Sequence, residues 1–300
     1  MTCFQFPRDR TTGQSRPVAR ELRRILSLSV GRDNDIVNVT WLAGGHPFDR
    51  EALVEMIDTV PGTSGRLVEW PQAGDFFTET GVERLLDECD VLALYDLPGI
   101  TFRRGDTPIL NEPPEETKAA WLRIVEAGLP ILGMHHAIAS WPTWEFFAEL
   151  LKGRFHYVPA SLRGVDWPDS GWANPVAQVF RVAEPGHPVC DGLPSEFPLT
   201  DETYQCPIFD DEITTLIVTD APRDAGHHAS AYATIRRVDQ GEWSHPDTSN
   251  AVAWTHSCAN STVVYLQPGD GPEAFRHPVY RRLISNSIHW LASTRKGATQ

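Results

Sequence analysis

Two adjacent histidines, His135 and His136, follow the short apolar run Leu129-Pro130-Ile131-Leu132-Gly133-Met134 and precede bulky residues at helical spacing that continue to about Lys152. A strand that ends directly in a helix N-terminus is where α/β proteins place reactive groups. The first helical N–H groups there have no intrahelical partner and the helix dipole is positive, so the position favours developing negative charge and disfavours an imidazolium. The pattern therefore predicts a neutral His135, fit to act as a general base, a hydrogen-bonding electrophile or a metal ligand. Gly133 is read as the residue that makes room for the sharp turn.

Other chemistry-bearing residues stand at comparable places. His46 follows Gly44-Gly45 at the end of one apolar run, and Asp96 ends another, Asp90 to Asp96. Glu202, in Thr200-Asp201-Glu202-Thr203-Tyr204, is the best carboxylate for acid or base work beside a histidine. These considerations give a catalytic set of His135, His46 and Glu202, with Asp96, His136 and His156 as substrate-binding candidates. Trp167 and Trp172 lie in a Pro- and Gly-rich stretch, where an apolar ring with a polar edge could stack on a bound ligand. Three histidines and a carboxylate could also hold Zn or Mn. With no H-x-x-x-H or H-x-H spacing, such a metal site depends wholly on tertiary convergence.

That convergence requires particular elements. Ile36 to Leu42 reads as a buried strand, Asp49 to Val60 as a helix capped by Asp49, Leu67 to Trp70 as a strand and Thr78 to Glu88 as a helix. Asp90 to Asp96 is a strand of the kind found inside parallel sheets, and Pro113-Pro114 opens a helix that Gly128 closes. Further strand-like runs are Val176–Val182, Thr214–Val218, Ala251–Thr255 and Thr262–Leu266. The stretch 155–192 reads as loops, 222–250 as a long polar excursion, and 278–292 as a closing helix. Alternation of this sort predicts an α/β fold of βαβ units with a mostly parallel sheet and right-handed crossovers. The expected organisation is an N-terminal extension over 1–35, one domain over 36–292 and a tail over 293–300.

Bulk properties narrow the function. The 300 residues carry a formal charge of −14 without a basic block, which argues against nucleic acid or an anionic membrane as partner. Five cysteines, far apart and never in a C-x-x-C pair, fit buried thiols in a reducing compartment. No apolar run resembles a signal peptide or reaches the ~18 residues of a membrane span, so a cytoplasmic protein is expected. A small-molecule partner is expected, self-association into a homo-oligomer stays open, and no G-x-G-x-x-G or phosphate loop occurs.

Pro130-Ile131-Leu132-Gly133-Met134-His135 resembles the nucleophile elbow of class I glutamine amidotransferases, a P-x-L-G-x-C pattern, with His135 where their cysteine stands. Histidine at this point is a feature of the ThuA-like, or trehalose utilization, family. Further similarities follow in the same order: Gly44-Gly45-His46, Gly153-Arg154-Phe155, His187-Pro188, Thr200 to Tyr204, Ala253-Trp254-Thr255 and Gly271-Pro272-Glu273-Ala274-Phe275. The resemblance implies a flavodoxin-like, doubly wound, mostly parallel sheet of the amidotransferase-like kind with loop and strand insertions, and no glutaminase activity. It also implies an enzyme of carbohydrate catabolism acting on trehalose or related sugars, often as 3-keto derivatives, through isomerase, lyase or hydrolase chemistry. The contrasting reading is a non-catalytic sugar-binding or partner protein that kept the pocket of a degenerate amidotransferase-like domain. Three positions depart from the family pattern. Val158 stands where a histidine usually precedes Pro159, Asp270 replaces the histidine of G-H-G-P-E-A, and Ala259 to Thr262 replaces G-K-G-R.

Overall fold

The computed structural model describes residues 36–297, so the expected N-terminal extension and Cys3 lie outside the described residues. Nine main strands form one sheet with a short tenth. They are β1 (Val37–Gly44), β2 (Thr63–Glu69), β3 (Val91–Asp96), β4 (Ile131–Met134), β5 (Gly171–Val182), β6 (Glu196–Gln205), β7 (Thr214–Thr219), β8 (Ala251–Cys258) and β9 (Ser261–Leu266). Their order is β6-β5-β7-β8-β9-β4-β3-β1-β2, and Ala229–Ser230 adds to β5. Strands β2, β1, β3, β4 and β9 are mutually parallel, in the flavodoxin-like order 2-1-3-4-5. From β9 outward through β8, β7, β5 and β6 every pairing is antiparallel. The parallel half is the doubly wound core, and the antiparallel half is built from the inserted strands.

Helices α1 (Arg50–Asp58), α2 (Glu79–Glu88), α3 (Glu115–Glu126), α4 (Glu145–Leu151), α5 (Ala231–Arg236), α6 (Pro272–Arg276) and α7 (Pro278–Gly297) complete the described chain. Asp49 caps α1 by accepting from the Ala52 N–H, and Thr78 caps α2 by accepting from that of Gly81. Alternating residues of the central strands feed two cores. Trp41, Tyr95 and Leu132 pack toward Leu53, Met56, Ile284 and Ile288 of α1 and α7. On the opposite face Leu42, Leu94 and Ile131 meet Leu85, Trp121, Ile124 and Leu150 of α2, α3 and α4. Burial of each such side chain contributes roughly 1.5–3 kcal/mol, which makes the parallel half a rigid support for whatever its strand ends carry. None of the helices among the described residues is long and apolar enough to cross a membrane.

The strand ends converge as expected. Gly44 pairs with Asp96, Leu94 with Gly133, and Leu266 with Met134, so the C-terminal ends of β1, β3, β4 and β9 are neighbours. Gly45 turns back at φ +81°, and a Cβ there would stand 2.2 Å from the Leu97 carbonyl oxygen. Only glycine lets the β1 loop lie so close to the end of β3.

Several local expectations need correction. After β4 the chain makes only a 3₁₀ turn, His135–Ala139, and α4 begins separately at Glu145. Pro142 explains the break: a proline disfavours helical backbone in the residue before it, and Trp141 adopts φ +46°. Gly133 does not turn the chain; it is extended, and its missing Cβ makes way for Leu151 Cδ2 and Tyr265 Cδ2, which would lie 2.8 and 3.1 Å from one. The stretch 155–192 is partly sheet, since Ala160–Leu162 pairs with Val165–Trp167 and Trp172 lies in β5. Strand β6 gives no clean alternation in sequence, and α7 runs past residue 292 to Gly297.

Candidate active site

The turn after β4 is made by His135 itself, at φ +48°. A non-glycine residue in left-handed backbone costs on the order of 1–2 kcal/mol, and the surrounding contacts hold it there. The Tyr265 hydroxyl, buried beneath the elbow, donates to the His135 carbonyl at 2.5 Å. The ring is fixed from the other side. Its Nδ1 lies 2.8 Å from the Gln267 carbonyl, so Nδ1–H donates there and Nε2 is left facing the cluster. Around Nε2 stand the Tyr204 hydroxyl at 2.8 Å, Glu202 Oε2 at 3.3 Å and Asp270 Oδ1 at 3.4 Å.

Two segments carry those carboxylates. Where β6 pairs with β5 the register shifts between Asp201, opposite Val176, and Thr203, opposite Ala173, so Glu202 alone faces Asn174 and Pro175, the two residues of a bulge on β5. Bulges of this kind re-aim a side chain. Asp270 comes from the loop after β9, where the Tyr95 hydroxyl donates to the Gly269 carbonyl at 2.9 Å and that of Tyr280 to the Pro268 carbonyl. The buried Asp201 carboxylate joins the two segments by accepting from the N–H groups of Gly269 (2.7 Å), Asp270 (3.2 Å) and Glu202 (2.9 Å). Gln267 Nε2 adds a bond to the Glu202 carbonyl, and Asn174 Nδ2 donates to Asp270 Oδ2 at 2.7 Å.

This electrostatic setting corrects the expectation of a neutral His135. Burial opposes its charge, but Asp270 and Glu202 outweigh burial and push its pKa up to about 10. The facing imidazolium, more than offsetting burial, holds the Asp270 carboxyl well below the usual range, whereas burial raises that of Glu202. A five-residue 3₁₀ turn cannot supply the dipole that an α-helix would, and two carboxylates 3.3 and 3.4 Å away prevail. His135 is thus a proton donor at neutral pH, with Glu202 and Asp270 as its acceptors.

A cleft of about 560 Å³ opens above the cluster, lined among others by His46, Glu202, Tyr204, Asp270, Phe155, Tyr157 and Trp172. The structure therefore brings together His135, His46, Glu202 and Trp172 of the residues singled out in sequence. His46 is kept toward the neutral form by burial. His136 is buried, with its ring 4.8 Å from that of His46 and 4.6 Å from that of Tyr95. Neither of its ring nitrogens has a hydrogen-bond partner, and burial drives its pKa well down.

Three candidates lie off the cleft. Asp96 accepts from the Trp70 indole at 2.6 Å, burial raises its pKa to about 6, and its carbonyl accepts from Ser140: it anchors the loop beside the elbow. Trp167 packs on His245, ring centres 5.7 Å apart. His156 is buried, and its backbone N–H donates to Ser170 Oγ. Burial first, then Arg154 and His245, lowers its pKa to about 4.

The low pKa of His156 has a testable consequence. An unfolded chain takes up the histidine proton near pH 6.5, before the folded one does, so stability from this residue is present above that pH and is lost as pH falls toward 4. By the size of the shift the loss amounts to about 3 kcal/mol. Asp96 acts in the opposite sense between pH 6 and 3.8, so the comparison must be made with a variant. His156→Gln should lose less stability than the wild type between pH 6.5 and 4 in denaturant titrations. Equal losses would show that His156 is not held neutral.

The same three donors, His135 Nε2 and one oxygen each from Glu202 and Asp270, lie within 4.8 Å of one another. An imidazole fixed by a carbonyl at Nδ1, beside two carboxylates, suits Zn or Mn, and a bound cation would replace the Nε2 proton. Sequence reasoning noted Asp270 only as a departure from a family pattern and passed over Tyr204, Gln267 and Asp201. The signal was available in Asp270, since it stands where relatives carry another ionisable residue. Nothing local marks the other three.

Comparison with known proteins places this arrangement. A ThuA-like protein of Parabacteroides merdae shares 14% identity and superposes with a TM-score of 0.59 over 86% of this chain and 90% of that one. A ThuA-like protein of Bacteroides uniformis gives 16% and 0.55 over 88% and 94%. A Salmonella typhimurium protein described as cytoplasmic gives 12% and 0.53 over 84% and 98%. At such identities these likenesses speak for the fold alone. No curated protein matches the sequence. The ThuA profile, described as trehalose utilisation, matches residues 74–291, a span that holds the elbow, Glu202 and the Asp270 loop. By that match the chain belongs to the ThuA family.

Proposed function

We propose that this chain is an enzyme of carbohydrate catabolism that acts on a sugar or keto-sugar of the trehalose or 3-keto-glycoside type by histidine and carboxylate acid–base chemistry, without glutaminase activity. The observation that carries the reading is one buried imidazole nitrogen facing Glu202, Asp270 and Tyr204, which themselves line a cleft walled by aromatic rings. Phe155, Tyr157 and Trp172 present faces on which a sugar ring can stack. Glutaminase chemistry needs a thiolate at the elbow, where this chain has histidine.

For a 3-keto-glycoside the chemistry follows from the proton positions. Glu202 takes the proton from the carbon between the keto group and the anomeric carbon. The electron pair forms a carbon–carbon double bond as the glycosidic C–O bond breaks, and the leaving oxygen takes the proton held on His135 Nε2. Return of a proton to the same carbon without bond cleavage would give epimerisation instead. Asp270 keeps His135 charged until the transfer, and Tyr204 can donate a hydrogen bond to the developing enolate oxygen.

The test is incubation of the purified protein with 3-keto-trehalose and 3-keto-glucosides, with and without EDTA, followed by product analysis. Turnover in both arms is the expected result. Turnover that EDTA abolishes and Mn or Zn restores would keep the substrate but put a cation at the three donors. Saturable binding with no product would overturn the enzyme in favour of a binding protein.

A further inference from the structure

The cleft is electrostatically two-ended. Its floor holds Glu202 and Asp270, whereas its lining also includes Arg103, Arg104 and Arg237, all exposed. In a chain with 26 basic and 40 acidic residues, three guanidinium groups around one opening call for an explanation. Arg50, Arg123, Arg163 and Arg281 each face a carboxylate, but among the described residues none of the three cleft arginines forms an ion pair. Arg237 ends α5, where a helix dipole favours a cation. That accounts for one of the three and leaves the adjacent pair, Arg103 and Arg104, unexplained.

The arginines belong to one structural unit. The Gly105 N–H donates to the Ile235 carbonyl at 3.1 Å, and Thr107 and Tyr232 share a hydroxyl hydrogen bond at 3.1 Å. The 102–107 loop and α5 are thereby tied together across the cleft mouth. Guanidinium groups recognise phosphate and carboxylate through paired N–H donors, and outside the reach of other acids they have full capacity to do so. An anion near the floor would be repelled by Glu202 and Asp270, so the cleft can orient a ligand that is neutral at one end and charged at the other.

We propose that the substrate of this site is an anionic carbohydrate, a sugar bearing a phosphate or carboxylate group that Arg103, Arg104 and Arg237 bind at the cleft mouth while its neutral ring reaches His135. This rests on the carbohydrate reading above and narrows it. Calorimetric titration of the full chain with glucose, glucose 6-phosphate, glucuronate and inorganic phosphate tests it. At least one charged sugar should bind about tenfold more tightly than glucose, the advantage should shrink as salt is raised, and in the triple variant R103Q/R104Q/R237Q it should fall to about one. Preference for glucose 6-phosphate over glucuronate would identify the group as phosphate, and the reverse as carboxylate. Equal binding of charged and neutral sugars by the wild type, or a preference that survives in the triple variant, overturns the proposal and leaves the sugar reading standing. Phosphate binding lost in the variant, with no sugar bound at all, supports the anion site and overturns the sugar reading.

Discussion

Replacing His135 with alanine should lower turnover by about a thousandfold, the middle of the range for removing a general acid, with KM changed far less. The imidazole is the group placed to hand a proton to a leaving oxygen while Glu202 takes one from carbon; it also packs against the Tyr204 and His136 rings, centres 5.0 and 5.1 Å away, so alanine leaves a small cavity as well. The elbow is held through the His135 carbonyl, to which the Tyr265 hydroxyl donates at 2.5 Å, and alanine keeps that carbonyl. The Nδ1–H bond to Gln267 is lost, an effect of about 1 kcal/mol, and the Glu202 and Asp270 carboxylates lose the positive charge that faces them, which destabilises the fold further. Steady-state kinetics beside a melting curve separates the two consequences. A folded variant with wild-type turnover would remove His135 from the chemistry, and a thousandfold loss accompanied by unfolding would have to be resolved with His135→Gln, which keeps a polar side chain at the elbow.

How much of this site could be read from sequence depends on the range of the interactions involved. Adjacent strand ends follow from local periodicity and the rule for parallel crossovers, so His46 and His135 were identifiable without coordinates. The bulk of the parallel half was legible for the same reason, since Val91 to Asp96 is buried throughout and reads as an uninterrupted apolar run. Strand β6 was not, because its burial comes from contacts with β5 and with the loop after β9, and the charged pair Asp201-Glu202 hides it. The charge of His135 was misjudged because the sequence showed a helix start but could not show that Asp270, 135 positions further along, would face it. The inference from the dipole was sound physics applied to an element that Pro142 cuts short. That His156 and Trp167 lie away from the cleft could not be read in advance, because a histidine or tryptophan in a loop-like sequence reads the same whether it faces a cleft or a core.

The second large effect is expected at a residue that touches no substrate. Asp201 accepts from three backbone N–H groups that belong to the two segments carrying Glu202 and Asp270. Asp201→Ala strands those donors in a site where water has little access. At about 1–3 kcal/mol for each unsatisfied buried donor, partial relaxation should leave a destabilisation of about 3–5 kcal/mol. With β6 and the loop no longer joined, the carboxylates lose their alignment on Nε2, and misplacement of about an ångström is enough to lower turnover about a hundredfold. Asp201→Asn keeps one carbonyl oxygen for the Glu202 and Asp270 donors, loses the acceptor for Gly269, and should fall between alanine and the wild type in both stability and rate. A direct catalytic role predicts a different pattern, in which alanine and asparagine are equally inactive and both melt like the wild type. Joint loss of stability and rate, graded in that order, is what a residue that holds β6 against the loop must give, and its absence would mean that Glu202 and Asp270 are positioned by something else.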